Sequence, residues 1–485
     1  MNLFMTSAPC GAGKSYEIRQ KALTTFGKHI IAVPTVKLID DYINEFNLID
    51  GYKPLILAFH HGDGRAETVA DAINAERKRL EAEDHVIFVI THDSLLRALD
   101  HDEFRGWNCW VDEVLTVRNH AVHHSTATAD YLASLYRLVE AVDEDGRVIA
   151  SLREIKPAGG ITVNAVRRDS LVAGLADLHQ RVCNGREKVF TNVRDWAELD
   201  KNPNWFAYSI FDIKRLAGFR RVHMFANAIT ETVTCRLLME VPGVQVTMVP
   251  FSNRQWLQRP ITVNYFAQNH AFSQSAIDQF ARPNLALIQG WCRAQPWCTE
   301  ANHFWMKNSS TVFSLPGDLL QPISHGLNSY QGHHAVTVIY KAKPSHQEVC
   351  LNRLCGIDER LIIAEREYET ISQLVLRSSI RDPGSTEPVV ANVYDYQQAS
   401  HLKRFIEVAY GLKVGLNHIE LPRFDDRVMT RSRIRGDAAK TPEEKAALKA
   451  RQREAHAERV RESRWQAAGK DVEVERRRYA QRVAS

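Results

Sequence analysis

The sequence predicts an α/β protein built on parallel sheets, and three observations predict it. Apolar strand-like runs alternate with helical patterns through residues 1 to 420, as they do where crossover helices join parallel strands. A run of small residues, Ala8 to Gly13, stands between the first apolar run and the first helical pattern. The chain's 485 residues, 44% hydrophobic and 25% charged, can bury enough core for two to four domains. That composition excludes disordered, collagen-like and disulfide-stapled classes.

Taken in order, the strand candidates are Leu3–Met5, His29–Val33, Leu55–Ala58, Val86–Ile90, Trp107–Val111, Val222–Ala226, Val244–Val249, Ile261–Phe266, Ala335–Tyr340 and Val389–Tyr394. Helical patterns follow several of them, among them Glu67–Ala82 and Tyr396–Tyr410. Between residues 118 and 215 the strand signal thins, which predicts a helical insertion. The Arg259-Pro260 break opens a second α/β region that ends near Leu421-Pro422. The expected domains are therefore 1–255, 256–422 and a tail, 423–485. In the tail, Thr441-Pro442-Glu443-Glu444 has the order of an N-cap, a first-turn proline and a capping-box glutamate, predicting a long charged helix.

The formal net charge is only +4, yet residues 423–485 hold 18 Lys and Arg against 11 Asp and Glu, leaving 44 against 47 upstream. Attraction for polyanions is thus expected to concentrate in the tail. Eight cysteines, at 10, 109, 183, 235, 292, 298, 350 and 355, form no CxxC pair, the pattern of reduced thiols in a cytoplasmic protein. No basic-then-apolar leader and no apolar run of 18 residues is present, so secretion and membrane spanning are not expected.

Ala8-Pro9-Cys10-Gly11-Ala12-Gly13-Lys14-Ser15 carries the strongest signal. It has the [AG]xxxxGK[ST] form of a P-loop: small residues let backbone N–H groups surround phosphates, Lys14 neutralises β/γ oxygens, and the Ser15 hydroxyl ligates Mg²⁺. Such a site also needs a carboxylate for the metal and a group to take a proton from water. Asp112 and Glu113, at the end of the apolar run Trp107–Val111, supply them, Asp112 for Mg²⁺ and Glu113 as base.

Further segments fit around these. Val33-Pro34-Thr35 with Leu38 follows the second strand, Val89-Ile90-Thr91 ends another, and Asp112-Glu113-Val114-Leu115 ends a third. His325-Gly326-Leu327-Asn328-Ser329-Tyr330 and Gln373-Leu374-Val375-Leu376-Arg377-Ser378-Ser379-Ile380-Arg381 lie in the second half. Together they resemble motifs Ia, II, V and VI of the superfamily 2 helicases with DEAD/DEAH-like ATPase cores, motif V in the form of phage- and plasmid-type members. The resemblance implies two RecA-like domains, a helical insertion in the first, and Mg-ATP hydrolysed between them by a nucleic-acid helicase or translocase of phage or plasmid DNA replication or repair. It further implies nucleic-acid contacts at Pro34, Thr35 and Thr91, nucleotide contacts at Gly326 and Asn328, and a catalytic set of Lys14, Glu113, Gln373, Arg377 and Arg381. DNA is expected ahead of RNA as partner, with the tail free to hold phosphates or a protein.

Three departures matter. The motif VI arginines lie four and eight residues after Gln373 rather than four and seven, so Arg377 is the firmer finger on the γ-phosphate and Arg381 the control. The Ser-Ala-Thr of motif III is replaced by Ala226-Asn227-Ala228-Ile229-Thr230, which leaves the coupling of hydrolysis to strand separation open. An adenine-reading Q motif is not expected, because the loop starts only a few residues into the sequence. Trp107, Trp110 and Trp205 could stack on bases, although core packing is the commoner use. The histidine pairs 60/61, 123/124 and 333/334 complete no zinc set. A non-unwinding P-loop ATPase, such as a packaging motor or an ATP-gated clamp, is the alternative, with Asp395 its one candidate nuclease carboxylate. An interaction protein that merely holds nucleotide comes third.

Overall fold

The computed structural model describes residues 1–428 except 52, 61–67, 125–127, 143–147, 198–203, 252–253, 323–329, 345–347, 350–351 and 353–356, together with residue 475. The expected tail helix and the segment around Gly326 and Asn328 lie outside the described residues. Met1–Asp426 forms one compact unit and Arg427–Ser485 a separate one.

Within the first unit, parallel strands dominate. β1 (Asn2–Ser7), β2 (Lys28–Val33), β3 (Leu55–Phe59), β4 (Val86–Thr91) and β5 (Asn108–Asp112) precede the insertion, which holds β6 (Arg118–His124), β7 (Tyr136–Val142), β8 (Val148–Pro157), β9 (Glu187–Asn192) and β10 (Asn204–Phe211). β11 (Arg221–Ala226) and β12 (Gln245–Met248) return to the first sheet, whose order is β12-β1-β11-β5-β2-β4-β3. The second lobe uses β13 (Ile261–Ala267), β14 (His303–Lys307), β15 (Asp318–Leu320), β16 (Ala335–Ile339), β17 (Val389–Asp395) and β18 (Val414–His418) in the order β15-β14-β16-β17-β13-β18. Every strand pairing in these two sheets is parallel.

A parallel sheet is covered on both faces, so its strands read as unbroken apolar runs. β2 shows why: Ile30 and Ala32 join the core on one face, while Ile31 and Val33 pack with Ile18, Ile39 and Tyr42 on the other. Trp107 and Trp110 are buried in this lobe and Trp205 in the insertion, with Trp110 Nε1 donating to His29 Nδ1 at 3.0 Å. These indoles are core rather than base-stacking platforms.

The helical insertion expected at 118–215 is overturned. The segment is a five-stranded antiparallel sheet, β6-β10-β9-β8-β7, with short helices packed on it. Leu152 and Ile155 show how the pattern misled: apolar residues three apart suit one face of a helix, but on a strand they point to opposite faces. Leu152 packs with Ala141, Phe190 and Tyr208, whereas Ile155 packs with Tyr136, Leu178 and Trp205.

The second lobe also continues past Pro422. The Asp426 carboxylate accepts from the backbone N–H of Gln268 and of Asn269, each at 2.9 Å, and Asp425 and Asn284 exchange two bonds of 2.9 Å. Among the described residues, no helix is long and apolar enough to cross a membrane.

Candidate functional site

The site is assembled at the carboxyl ends of three adjacent strands. β1 runs into the loop Ala8–Gly13, where Gly11 (φ 79°) and Gly13 (φ 100°) adopt the left-handed conformation that side chains resist. Gly13 leads into the helix Lys14–Thr24 without a side-chain cap. The helix's first N–H groups therefore face the loop, a ready place for anionic oxygens. β11 lies between β1 and β5 and ties both motifs together: Ala226 O accepts from Ala8 N at 2.9 Å and Phe225 O from Glu113 N at 2.8 Å.

Lys14 is buried, its Nζ 3.2 Å from Ala8 O and 3.4 Å from Glu113 Oε1. Burial works to lower its pKa, but the charges of Glu113, Cys10, Asp112 and Glu369 outweigh it and carry the ammonium above its ordinary value. Asp112 Oδ2 accepts from Ser15 Oγ at 2.7 Å and from Tyr42 OH at 2.8 Å. Burial, then Glu113, raises the Asp112 carboxyl. Glu113 has φ 70°, a conformation that costs about 1–3 kcal/mol on a non-glycine residue. The strained backbone sets its carboxylate beside Lys14.

Ser15 and Asp112 put two hard oxygens side by side next to the loop Ala8–Gly13. That fits Mg²⁺, which takes one or two protein oxygens and fills its octahedron with phosphate and water. Among the described residues, no group of three or more His, Cys, Asp and Glu could hold a metal by itself.

The second lobe closes the cleft. The helix Glu369–Val375 carries Gln373 and then stops, because Leu376 leaves helical geometry and Arg377 N turns back to Leu374 O at 3.0 Å. Arg381 follows on a separate 3₁₀ turn, Ser379–Arg381. Despite the four-and-eight spacing, both arginines line the same cleft, of about 580 Å³, as Lys14, Asp112 and Glu113. Arg377 is 8% exposed, and its Nη1 is buried without a partner among the described residues. Arg381 lies against the loop so closely that a Cβ on Gly11 would come within 2.8 Å of its Cγ. Tyr410 OH donates to Cys10 O at 2.8 Å, a second tie between loop and second lobe.

Sequence reasoning missed Asn227 and Glu369. Asn227 Nδ2 donates to both Glu369 oxygens, at 2.8 and 3.0 Å, and Gln373 Nε2 adds a third bond at 2.9 Å. Burial pushes the Glu369 carboxyl up to about 7, against the pull of Asn227 and Gln373. The available signals were Asn227 standing in the motif III slot and a glutamate one helical turn before Gln373. Thr35 and Thr91 lie elsewhere and serve as caps, Thr35 accepting from Leu38 N at 3.3 Å and Thr91 from Ser94 N at 3.1 Å. Pro34, beside Thr35, is half-buried. Asp395 is a cap as well, buried and accepting from Phe272 N at 2.7 Å and Gln398 N at 3.0 Å, which leaves it little capacity as a nuclease ligand.

Fold and cleft together define a two-lobed α/β protein with a parallel sheet in each lobe. No family model and no curated protein matches the sequence. Among solved structures, the chain is similar to an XPD helicase, at 9% identity over 86% of this chain and 96% of that one, with a TM-score of 0.46. It is also similar to S. tokodaii Xpd4, at 11% identity, the same coverages and a TM-score of 0.43. A DEAD box protein from Methanococcus jannaschii matches at 11% identity over 86% of this chain and 88% of that one, TM-score 0.26.

Proposed function

We propose that the protein is a Mg-ATP-dependent nucleic-acid helicase or translocase, with DNA ahead of RNA as its track and replication or repair of phage or plasmid DNA as its setting. The observation that carries this reading is the buried Arg377 Nη1, a cationic donor without a partner among the described residues, in the same cleft as Lys14 and Ser15. A desolvated guanidinium facing a phosphate loop has the electrostatics of a group that waits for an oxyanion.

The loop N–H groups and Lys14 hold the phosphates. Lys14 exchanges its contacts to Ala8 O and Glu113 for phosphate oxygens, which frees Glu113 to accept the proton of an attacking water. Ser15 and Asp112 would hold Mg²⁺, which would supply positive charge to the bound phosphates. Arg377 and Arg381 come from the other lobe, so loss of the γ-phosphate removes what they bind and weakens lobe closure. Alternation between tight and loose lobes is what lets such a cleft move along a strand. Because both arginines and Glu369 belong to the second lobe, an idle nucleotide holder is the weaker reading. The test is ATP hydrolysis with single-stranded DNA, duplex DNA and RNA, in the parent and in Lys14→Ala. Stimulation by nucleic acid in the parent, and loss of at least 100-fold in turnover in Lys14→Ala, are expected. Parent-rate hydrolysis by Lys14→Ala would refute the reading.

A further inference from the structure

A second cavity of about 580 Å³ opens at the other edge of the first sheet, on the side where β5 and β11 begin. Three loops wall it: Leu99–Arg105 before β5, Lys214–Gly218 before β11, and Asn184–Arg186, which turns the helix Ala176–Cys183 into β9 of the inserted sheet. Gly106 N donates to Gly218 O at 2.9 Å and Arg215 Nη2 to Gly185 O at 2.7 Å, so the three loops are joined.

The lining is cationic. Arg105, Arg186, Lys214 and Arg215 face Asp100 and Asp102, and Asp102 is already 3.9 Å from Arg105. The neighbouring carboxylate Glu187 is engaged by Arg97 and Arg181, at 3.3 and 3.5 Å. Among the described residues, Arg186 Nη1 and Asn184 Nδ2 are buried with no hydrogen-bond partner. Asn184 Oδ1 accepts from Arg186 N at 2.8 Å, which fixes the amide so that its NH₂ is the free end. His101 adds no charge, since burial holds its imidazole down to about 4. Burial, then the charge of Arg215, lowers the Arg186 guanidinium, against a smaller opposite pull from Asp100.

Buried donors are nearly always paired in folded proteins, and a guanidinium fork beside an amide NH₂ matches the oxygens of a tetrahedral anion. We propose that this cavity is a phosphate-binding site, separate from the P-loop cleft, in which Arg186 and Asn184 hold the oxygens and Lys214 and Arg215 supply charge at the rim. The phosphate comes either from a nucleic-acid backbone crossing the insertion or from a free nucleotide, and the two sources separate experimentally.

The experiment uses the full chain and two variants outside the nucleotide cleft, Arg186→Gln and the surface pair Lys214→Ser/Arg215→Ser. Fluorescein-labelled single-stranded 20-mer is titrated by anisotropy at several salt concentrations. Pyrophosphate binding is measured by calorimetry in a Lys14→Ala background, which weakens the P-loop cleft. If the phosphate belongs to a strand, both variants weaken 20-mer binding at least five-fold, and the surface pair flattens the slope of log affinity against log salt by about 1. If it belongs to a free nucleotide, the 20-mer curves stay put while pyrophosphate binding falls at least ten-fold in both variants. Unchanged 20-mer and pyrophosphate binding in the surface pair, whose side chains are exposed, overturns the proposal whatever Arg186→Gln does.

Discussion

Glu369→Gln offers the sharpest separation of electrostatics from shape. The carboxyl sits between Asn227 of the first lobe and Gln373 of the second and is raised from 4.5 to about 7 by burial. In the unfolded chain it titrates near its ordinary value, so between pH 4.5 and 7 the folded protein binds one proton more than the unfolded one. Stability therefore falls as pH rises through that window, by up to about 3 kcal/mol at 1.36 kcal/mol per pH unit. The glutamine keeps the volume and one acceptor oxygen but cannot titrate. Urea midpoints measured every half unit from pH 4.5 to 8, without nucleotide, should slope downward more steeply in the parent than in the variant. Groups common to both proteins cancel in the difference. Identical slopes would mean that Glu369 is ionised throughout, and the description of it as a desolvated carboxyl between the lobes would fail.

Glu113→Gln should bind Mg-ATP like the parent but turn it over at least 100-fold more slowly, while Asp112→Asn should lose Mg²⁺-dependent binding, seen by fluorescent-nucleotide titration with and without the metal. Arg377→Ala should lower nucleic-acid-stimulated turnover by about 10³-fold with nucleotide affinity within a few-fold. Arg381→Ala should give a milder loss together with weaker affinity, because that side chain also packs on Gly11. Truncation after Val428 should leave the thermal midpoint unchanged, whereas truncation after Pro422 removes the Asp426 clamp on Gln268 and Asn269 and should cost about 2 kcal/mol in calorimetry or urea unfolding.

The parallel strands were legible because burial on both faces writes each one as a short unbroken apolar run. Ile30, Ile31, Ala32 and Val33 are all buried. The inserted sheet was not legible, because a sheet whose strands also carry polar side chains leaves no such run, and the three-residue spacing of Leu152 and Ile155 imitates a helix. The loop Ala8–Ser15 and the acidic pair stood out for a different reason: each is a contiguous segment.

The sequence by itself determined the α/β class and the placing of a glycine-rich loop after the first strand and of Asp112 and Glu113 at the end of another. Each of these is local, set by residues within one turn or one strand of one another. Only the tertiary structure decided that β11 stands between the loop strand and the acidic strand, and that helix termination at Leu376 brings Arg377 and Arg381 to one cleft despite their spacing. It also decided that Asn227 and Glu369, 142 positions apart, meet across the lobes. Their pairing depends on how two sheets are brought together, a property of long-range packing that no window of sequence encodes.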